Sequence, residues 1–298
     1  MARIRYDRLP TERPNPRSRA LDRLSPVAIA RLMNRADREA VKAVGRVAPV
    51  IGRAVTTVVA RLGRGGRLIF VGAGTSGRLG VIEAAECPPT FNTGPGQVQA
   101  LMAGGRRAVF RSVEGAEDDA RAGARAVRGR VDRRDAVVGI AASGVTPFVR
   151  AALAEARRRG AFTVLVTCNP SAPRAAARVI VALRVGPEVL AGSTRLKAGT
   201  ATKLTLNTLT TAAFTRLGKV HGNRMVDLQP KSAKLRARAE RLVQDLGGVN
   251  AARAGTLLAE AGGSAKVAVV MACRRVTAAE ARRRLRAAGG FLGPAAGI

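Results

Sequence analysis

Between Arg67 and Leu183 the chain alternates short β-branched runs with stretches of helical composition, an order few folds accept. The runs fall at Arg67–Gly72, Val98–Ala103, Ala136–Ala142, Phe162–Thr167 and Val179–Leu183. Strand, helix and further strand form a right-handed crossover, so the pattern predicts an α/β fold: a parallel sheet of five or more strands flanked by helices. Ligands of such sheets sit beyond the carboxyl ends of the strands. With seven Phe, one Tyr and no Trp, the core must come from Ala, Val, Leu and Ile, which suits parallel strands under helices.

The flanks read as helical. Residues 1–24, rich in Arg, Pro and Asn, read as an extended arm; Ser25 then caps and Pro26 opens a helix with Ile29, Leu32, Met33 and Ala36 on its buried stripe. A second helical run passes through Val44, Val55, Val58, Val59 and Leu62 and stops at Gly63, Gly65 and Gly66. A long helix is expected from Lys197 to Leu217. The segments Ala251–Ala261, Ser264–Cys273 and Ala278–Ala288 read as a small three-helix module. The organisation is therefore an N-terminal arm with helices (1–53), the α/β domain (54–220) and a C-terminal helical region (221–298).

The net charge of +32 would ordinarily point to nucleic acid, since basic proteins gain affinity by displacing phosphate counterions. Here only seven of the 52 basic residues are Lys, and Arg recurs on nearly every helix without interleaved aromatics to stack bases. The excess reads as solvated helix faces that also steer an anionic substrate inward, with nucleic-acid binding as the lesser alternative. Cys87, Cys168 and Cys273 are odd in number and widely spaced, which fits neither a disulfide framework nor a metal site. No apolar stretch of signal-peptide or membrane-spanning type occurs, so a cytoplasmic protein is expected.

Three hydroxyl-bearing turns stand out. Strand Leu68–Val71 runs into Gly72-Ala73-Gly74-Thr75-Ser76-Gly77-Arg78, where glycines permit a tight turn and a helix N-terminus offers N–H groups and positive dipole to a phosphate. The turn lacks the lysine of a nucleotide P-loop and a ribose-binding acid about 20 residues on. A second turn of this design carries Ser143 and Thr146. The third, Gly192 to Thr200, brings Ser193, Thr194 and Lys197; helix capping by Ser193 or Thr194 is its purely structural reading. Acids are scarce, at 20, and cluster as Glu83 with Glu86 and as Glu114, Glu117, Asp118 and Asp119. Pro88-Pro89 is expected to end the helix bearing Glu83 and Glu86.

GAGTSGRLGVIEAAECPPTF (72–91), SVEGAEDD (112–119), GIAASGVTPFV (139–149), TCNP (167–170) and GPEVLAGSTRLKAGTATKL (186–204) resemble N-acetylmuramic acid 6-phosphate etherases, as do TERPNP (11–16), GKVHGNRMVDL (218–228), AGGSAKVAVVM (261–271) and AAGGFL (287–292). The resemblance covers essentially the whole chain, in order. It implies a sugar isomerase (SIS) fold over 54–220 and cleavage of the D-lactyl ether at C3 of the sugar, giving N-acetylglucosamine 6-phosphate and D-lactate. It also implies a homodimer, with no metal and no cofactor. It carries the acid role onto Glu86 and a second catalytic carboxylate onto Glu117, which the elimination chemistry assigns as the base. Thr75, Ser76, Gly77, Arg78, Ser143, Thr146, Ser193, Thr194 and Lys197 are the candidate sugar-phosphate ligands. Glu83 and Ala85 depart from the family's Asp and Ser, and Val145 stands where Arg is frequent. A non-catalytic sugar-phosphate sensor is the competing reading, disfavoured because both glutamates are present.

Overall fold

Each β-branched run becomes a strand: β1 (Leu68–Gly72), β2 (Val98–Met102), β3 (Ala136–Ile140), β4 (Phe162–Thr167) and β5 (Val179–Ala182). The computed structural model describes residues 9–228, 230 and 232–298, so the first eight residues of the expected arm lie outside the described residues. The five strands form one parallel sheet in the order β2-β1-β3-β4-β5. Every residue of β1, β3 and β4 is buried, as helices on both faces require. Gly72 stands level with Met102 on one side and Ile140 on the other. The segments leaving β1, β2 and β3 therefore start at one edge. The chain winds outward in opposite directions from β1 and β3, and the crevice between them is where a sheet of this order holds its ligand.

The helices are α1 (Pro26–Arg46), α2 (Ala48–Gly63), α3 (Gly74–Phe91), the single turn α4 (Arg107–Phe110), α5 (Ala120–Val127), α6 (Pro147–Arg158) and α7 (Lys197–Arg216). The Ser25 hydroxyl accepts from the Ala28 N–H, the cap expected from the Ser-Pro pair. Val44 belongs to α1, not to the following run, because the chain breaks at Val47 before α2. The described part of the arm is not extended. It makes short 3₁₀ turns at Pro16–Ser18 and Leu21–Arg23, the first capped by the Asn15 side chain accepting from the Arg17 N–H. Pro88 and Pro89 do not end α3, which continues to Phe91, where the Asn92 N–H closes the last turn on the Pro88 carbonyl.

Beyond a two-stranded ribbon, β6 (Val220–His221) with β7 (Arg224–Met225), come α8 (Ala233–Gly247), α9 (Ala251–Glu260), α10 (Ala265–Arg274), α11 (Ala278–Ala287) and α12 (Leu292–Ala296). Ser232, Asn250, Ser264 and Thr277 cap α8 to α11 with their side chains. The expected three-helix module is thus α9 to α11, but its core also draws on Leu242 and Val243 of α8 and Leu292 of α12. Helix α10, buried from Ala265 to Met271, runs through the middle.

By internal contacts the chain divides into two units: residues 1–84 with 96–210, and residues 85–95 with 211–298. Two of the three divisions fall inside α3 and α7, and the third between α3 and β2. Within the first unit, Glu83 is buried on α3 and accepts from Asn207 Nδ2 at 2.6 Å and from the Thr210 hydroxyl, which ties α3 to α7.

The first turn of α3 lies against the end of β1 so closely that a Cβ on Gly77 would stand 2.8 Å from the Gly72 carbonyl oxygen, and one on Gly72 2.6 Å from the Gly77 nitrogen. Both collisions are with backbone, which no rotamer change relieves. Gly77→Ala is expected to destabilise the protein by ~1–3 kcal/mol in urea unfolding. Gly45→Ala, at an α1 position with nothing within 4 Å, is expected to be neutral or stabilising by ~0.5–1 kcal/mol. Equal effects from the two changes would contradict the close-approach account.

Candidate functional site

At the carboxyl edge of the sheet a cavity of about 230 Å³ opens between the segments that leave β1 and β3. Thr75 and Ser76 reach it from the first turn of α3, Ser143 and Thr146 from the β3–α6 turn, Thr194 from the turn before α7, and Glu117 with Asp118 from the segment after α4. Thr11 of the arm completes the polar lining. A helix leaves its first N–H groups without a partner four residues back, and its dipole is positive there. Thr75 and Ser76 place such groups, with two hydroxyls, on one wall. Anions are bound well by this combination.

The second wall is built from strand ends. The Ser143 hydroxyl accepts from the Val145 N–H at 3.2 Å and lies 3.5 Å from the Thr146 hydroxyl. Gly144 sits at φ +72°, and a Cβ there would meet Thr167 and Ala172, so only glycine closes this turn without strain. From the end of β4, Asn169 Nδ2 donates to the Ser143 carbonyl at 2.9 Å and the Thr167 hydroxyl to the Ala142 carbonyl at 3.1 Å. The TCNP stretch is therefore a brace behind Ser143. Val145 is half-buried and is not among the residues that line the cavity.

Glu117 gains its place through its backbone. Its carbonyl accepts from the Phe148 N–H in the first turn of α6, pinning the acidic segment beside Thr146 and Pro147. A smaller cavity of about 140 Å³ shares Ala73, Gly74 and Glu117 with the first and extends along residues 112–116. The sequence pointed to Glu117 but gave no role to Thr11 or Asp118. Thr11 lay inside TERPNP, whose segment is held by its own carbonyl accepting from the Gly192 N–H at 3.0 Å.

The remaining candidate residues lie elsewhere. Arg78 donates through Nε to the Val109 carbonyl and through Nη2 to the Ala108 carbonyl, so it clamps α4 and borders only the smaller cavity. Gly77 commits its N–H to the Ala73 carbonyl and serves the close approach to Gly72. Ser193 does not line the cavity. Lys197 is buried, and its ammonium donates to the Val185 carbonyl at 2.7 Å, in a different cavity. Glu86 is exposed on α3 and is not among the lining residues.

The start of α7 is not held by Ser193 or Thr194. The fully buried Glu188 carboxylate accepts from the Lys197 N–H at 3.0 Å and the Ala198 N–H at 2.9 Å. Burial raises the Glu188 carboxyl above its usual range, against those two N–H groups and the Lys197 charge. Burial likewise lowers the Lys197 ammonium, against the Glu188 charge. Buried Cys168 is pushed up to about 12, chiefly by desolvation, so this thiol is inert.

Residues 50–157 match the family described as glucokinase regulatory protein N-terminal SIS domain. An N-acetylmuramic acid 6-phosphate etherase from Gloeobacter violaceus is 50% identical over 287 residues, covering 95% of this chain and 94% of the relative. One from Geobacillus thermodenitrificans is 47% identical, covering 96% and 98%. One from Synechococcus sp. is 49% identical, covering 93% and 88%. Coverage this complete on both sides means that the match embraces whole proteins and not a shared domain.

Removing the Glu188 carboxylate leaves two helix N–H groups and a buried cation without it. Glu188→Ala is expected to cost at least ~2 kcal/mol in urea unfolding. Because the folded state holds the Glu188 proton more tightly than the unfolded chain, its contribution is greatest below the ordinary carboxyl range near 4.5 and falls as pH rises. Glu188→Gln should flatten that part of the stability–pH profile, and an unchanged slope would contradict the assignment.

Proposed function

The chain belongs to the N-acetylmuramic acid 6-phosphate etherase family, and we propose that the cavity between β1 and β3 is where it carries out that family's reaction. It cleaves the D-lactyl ether of N-acetylmuramic acid 6-phosphate to N-acetylglucosamine 6-phosphate and D-lactate, a step of cell-wall amino-sugar recycling. The observation that carries the site assignment is that one cavity gathers Glu117 with six hydroxyl side chains and the first turn of α3.

An unactivated ether is inert. Opening the sugar ring exposes a C1 aldehyde, which acidifies the C2 proton so that a carboxylate can remove it. Protonation of the lactyl oxygen lets D-lactate leave and gives a C2–C3 unsaturated aldehyde. Water then adds its hydroxyl to C3 while a proton returns to C2. The reaction is redox-neutral and needs one base and one acid, each typically worth ~10²–10⁴-fold. Glu117 is the base, supported by its place in the cavity beside the hydroxyls that hold the phosphate. Glu86, which does not line this cavity, is the acid on the strength of its position in the ECPPTF stretch that resembles the family's. Thr75, Ser76, Ser143, Thr146 and Thr194 bind the phosphate and sugar hydroxyls. Lys197, Arg78, Gly77 and Ser193 act on this site through the backbone they hold.

The working form is a cytoplasmic homodimer. Among the described residues no single helix is long and apolar enough to cross a membrane. Val27 and Val41, 60% and 59% exposed, put an apolar stripe on α1 that a second copy can cover. Sedimentation at micromolar concentration is expected to give twice the chain mass, and Val27→Glu with Val41→Glu to lower it to one chain.

Purified protein given N-acetylmuramic acid 6-phosphate is expected to release D-lactate, and the two glutamates should fail differently. Glu86→Gln stops lactate release yet still exchanges C2 hydrogen for deuterium in deuterated water, because deprotonation there belongs to the other residue. Glu117→Gln loses both. N-acetylglucosamine 6-phosphate should bind each variant within about tenfold of the parent, ~1.4 kcal/mol. Exchange in Glu117→Gln with none in Glu86→Gln would reverse the roles, and full lactate release from both would sink the two-carboxylate mechanism.

A further inference from the structure

A second cavity, about 530 Å³, lies on the other side of the arm, between residues 15–17, α1 and the segment that leads to α7. Its walls are mostly apolar, with Leu32 and Ala36 of α1 facing Val185 and Pro187. Its charges are not balanced. Arg17, Arg35 and Lys197 border it against Glu39 alone, and Glu39 is already paired with Lys42 at 3.4 Å.

The Lys197 ammonium is the polar floor of this space. The residue is only 5% exposed, and among the described residues its Nζ has one hydrogen-bond acceptor, the Val185 carbonyl. An ammonium carries three donors, so two remain for an acceptor arriving from the cavity. Burying an ammonium with a single hydrogen-bond acceptor is costly even with the Glu188 charge nearby, and an anion seated beside it would offset that cost. Lys197 is also the first residue of α7, and its own N–H is held by Glu188.

We propose that this cavity is a regulatory site for a small anion with an apolar body, its carboxylate or phosphate on Lys197, Arg17 and Arg35 and its body against Leu32 and Ala36. The occupant is coupled to the first cavity through the arm and the segment before α7. Thr11 lines one cavity while Asn15 to Arg17 line the other. Asn15 Nδ2 donates to the Pro187 carbonyl at 3.3 Å, the Ser18 hydroxyl to the Val189 carbonyl at 2.7 Å, and Gly192 N–H to the Thr11 carbonyl at 3.0 Å. A ligand that draws residues 15–17 and Lys197 together therefore moves the mounts of Thr11 and Thr194. The coupling rests on the sugar-phosphate reading of the first cavity.

Calorimetric titration of the full chain tests both parts. Octanoate and phenyl phosphate serve as carboxylate and phosphate probes, with inorganic phosphate lacking the body and octan-1-ol lacking the charge. At least one of the two amphiphilic anions is expected to bind saturably, one per chain, and at least tenfold more tightly than inorganic phosphate and octan-1-ol. Whichever binds better identifies the head group. Arg35→Met and the space-filling Ala36→Phe should each weaken it at least tenfold while leaving N-acetylglucosamine 6-phosphate affinity unchanged in its absence. With the probe bound, that affinity should shift by about fivefold or more in the parent. Lactate release without any probe reports on the first cavity alone, which separates a failure here from a failure there. No saturable binding, binding indifferent to both substitutions, no shift in sugar-phosphate affinity, or loss of the dimer in Ala36→Phe would each overturn the proposal.

Discussion

The contact between Gly72 and Gly77 is the constraint from which the site follows. With no side chain at either position, the first turn of α3 can sit on the end of β1 with backbone atoms in contact. The helix then starts at the sheet edge and not a residue or two beyond it. Because Gly72, Met102 and Ile140 are in register, the segments that carry Thr75, Glu117 and Ser143 all set out from the same level. Parallel pairing supplies the alignment, and the glycine pair keeps the first turn of α3 inside it.

Around that edge, two of the candidate ligands, Arg78 and Lys197, are fasteners, as are Asn169 and Glu188. Arg78 holds two carbonyls of α4, Lys197 one carbonyl before α7, Asn169 the carbonyl of Ser143, and Glu188 the opening N–H groups of α7. Each satisfies a backbone group, and leaving such a group buried without a partner costs ~1–3 kcal/mol. Short hydroxyl side chains and Glu117 are left to face the cavity, and their geometry is set by what the fasteners hold.

The sheet was legible in the sequence because strand and helix periods leave their mark within a window of a few residues. All five strands stand within one or two positions of the β-branched runs. The hydroxyl turns after β1 and β3 were legible for the same reason, since Gly with Ser or Thr at a strand end is local chemistry. What escaped depends on partners far along the chain. Nothing within Gly192 to Thr200 tells that the cap of α7 comes from Glu188, or that Lys197 turns toward Val185. Thr11 could be singled out only through its motif, because its nearest cavity neighbours follow it by more than 60 residues. The helix end at Pro88-Pro89 misled for a different reason: proline removes a donor from the turn before it, but the chain beyond still closes a helical turn, the Asn92 N–H donating to the Pro88 carbonyl.

The division of the chain sets an order of assembly. Residues 85–95 belong by their contacts with residues 211–298, although the ribosome delivers them more than 100 residues earlier. In the stretch that bears Glu86 and buried Cys87, Phe91 stacks on Phe214 near the end of α7, at 4.9 Å between ring centroids, so it has no ring partner until that end of α7 exists. The sheet can close on local crossovers while that end of α3 waits. Loops of this length are slow to close and expose apolar surface in the interval. A chain cut short before Phe214 would carry every hydroxyl that lines the cavity and still leave Phe91 without its ring partner, so premature termination there yields a sticky molecule and not merely an inactive one.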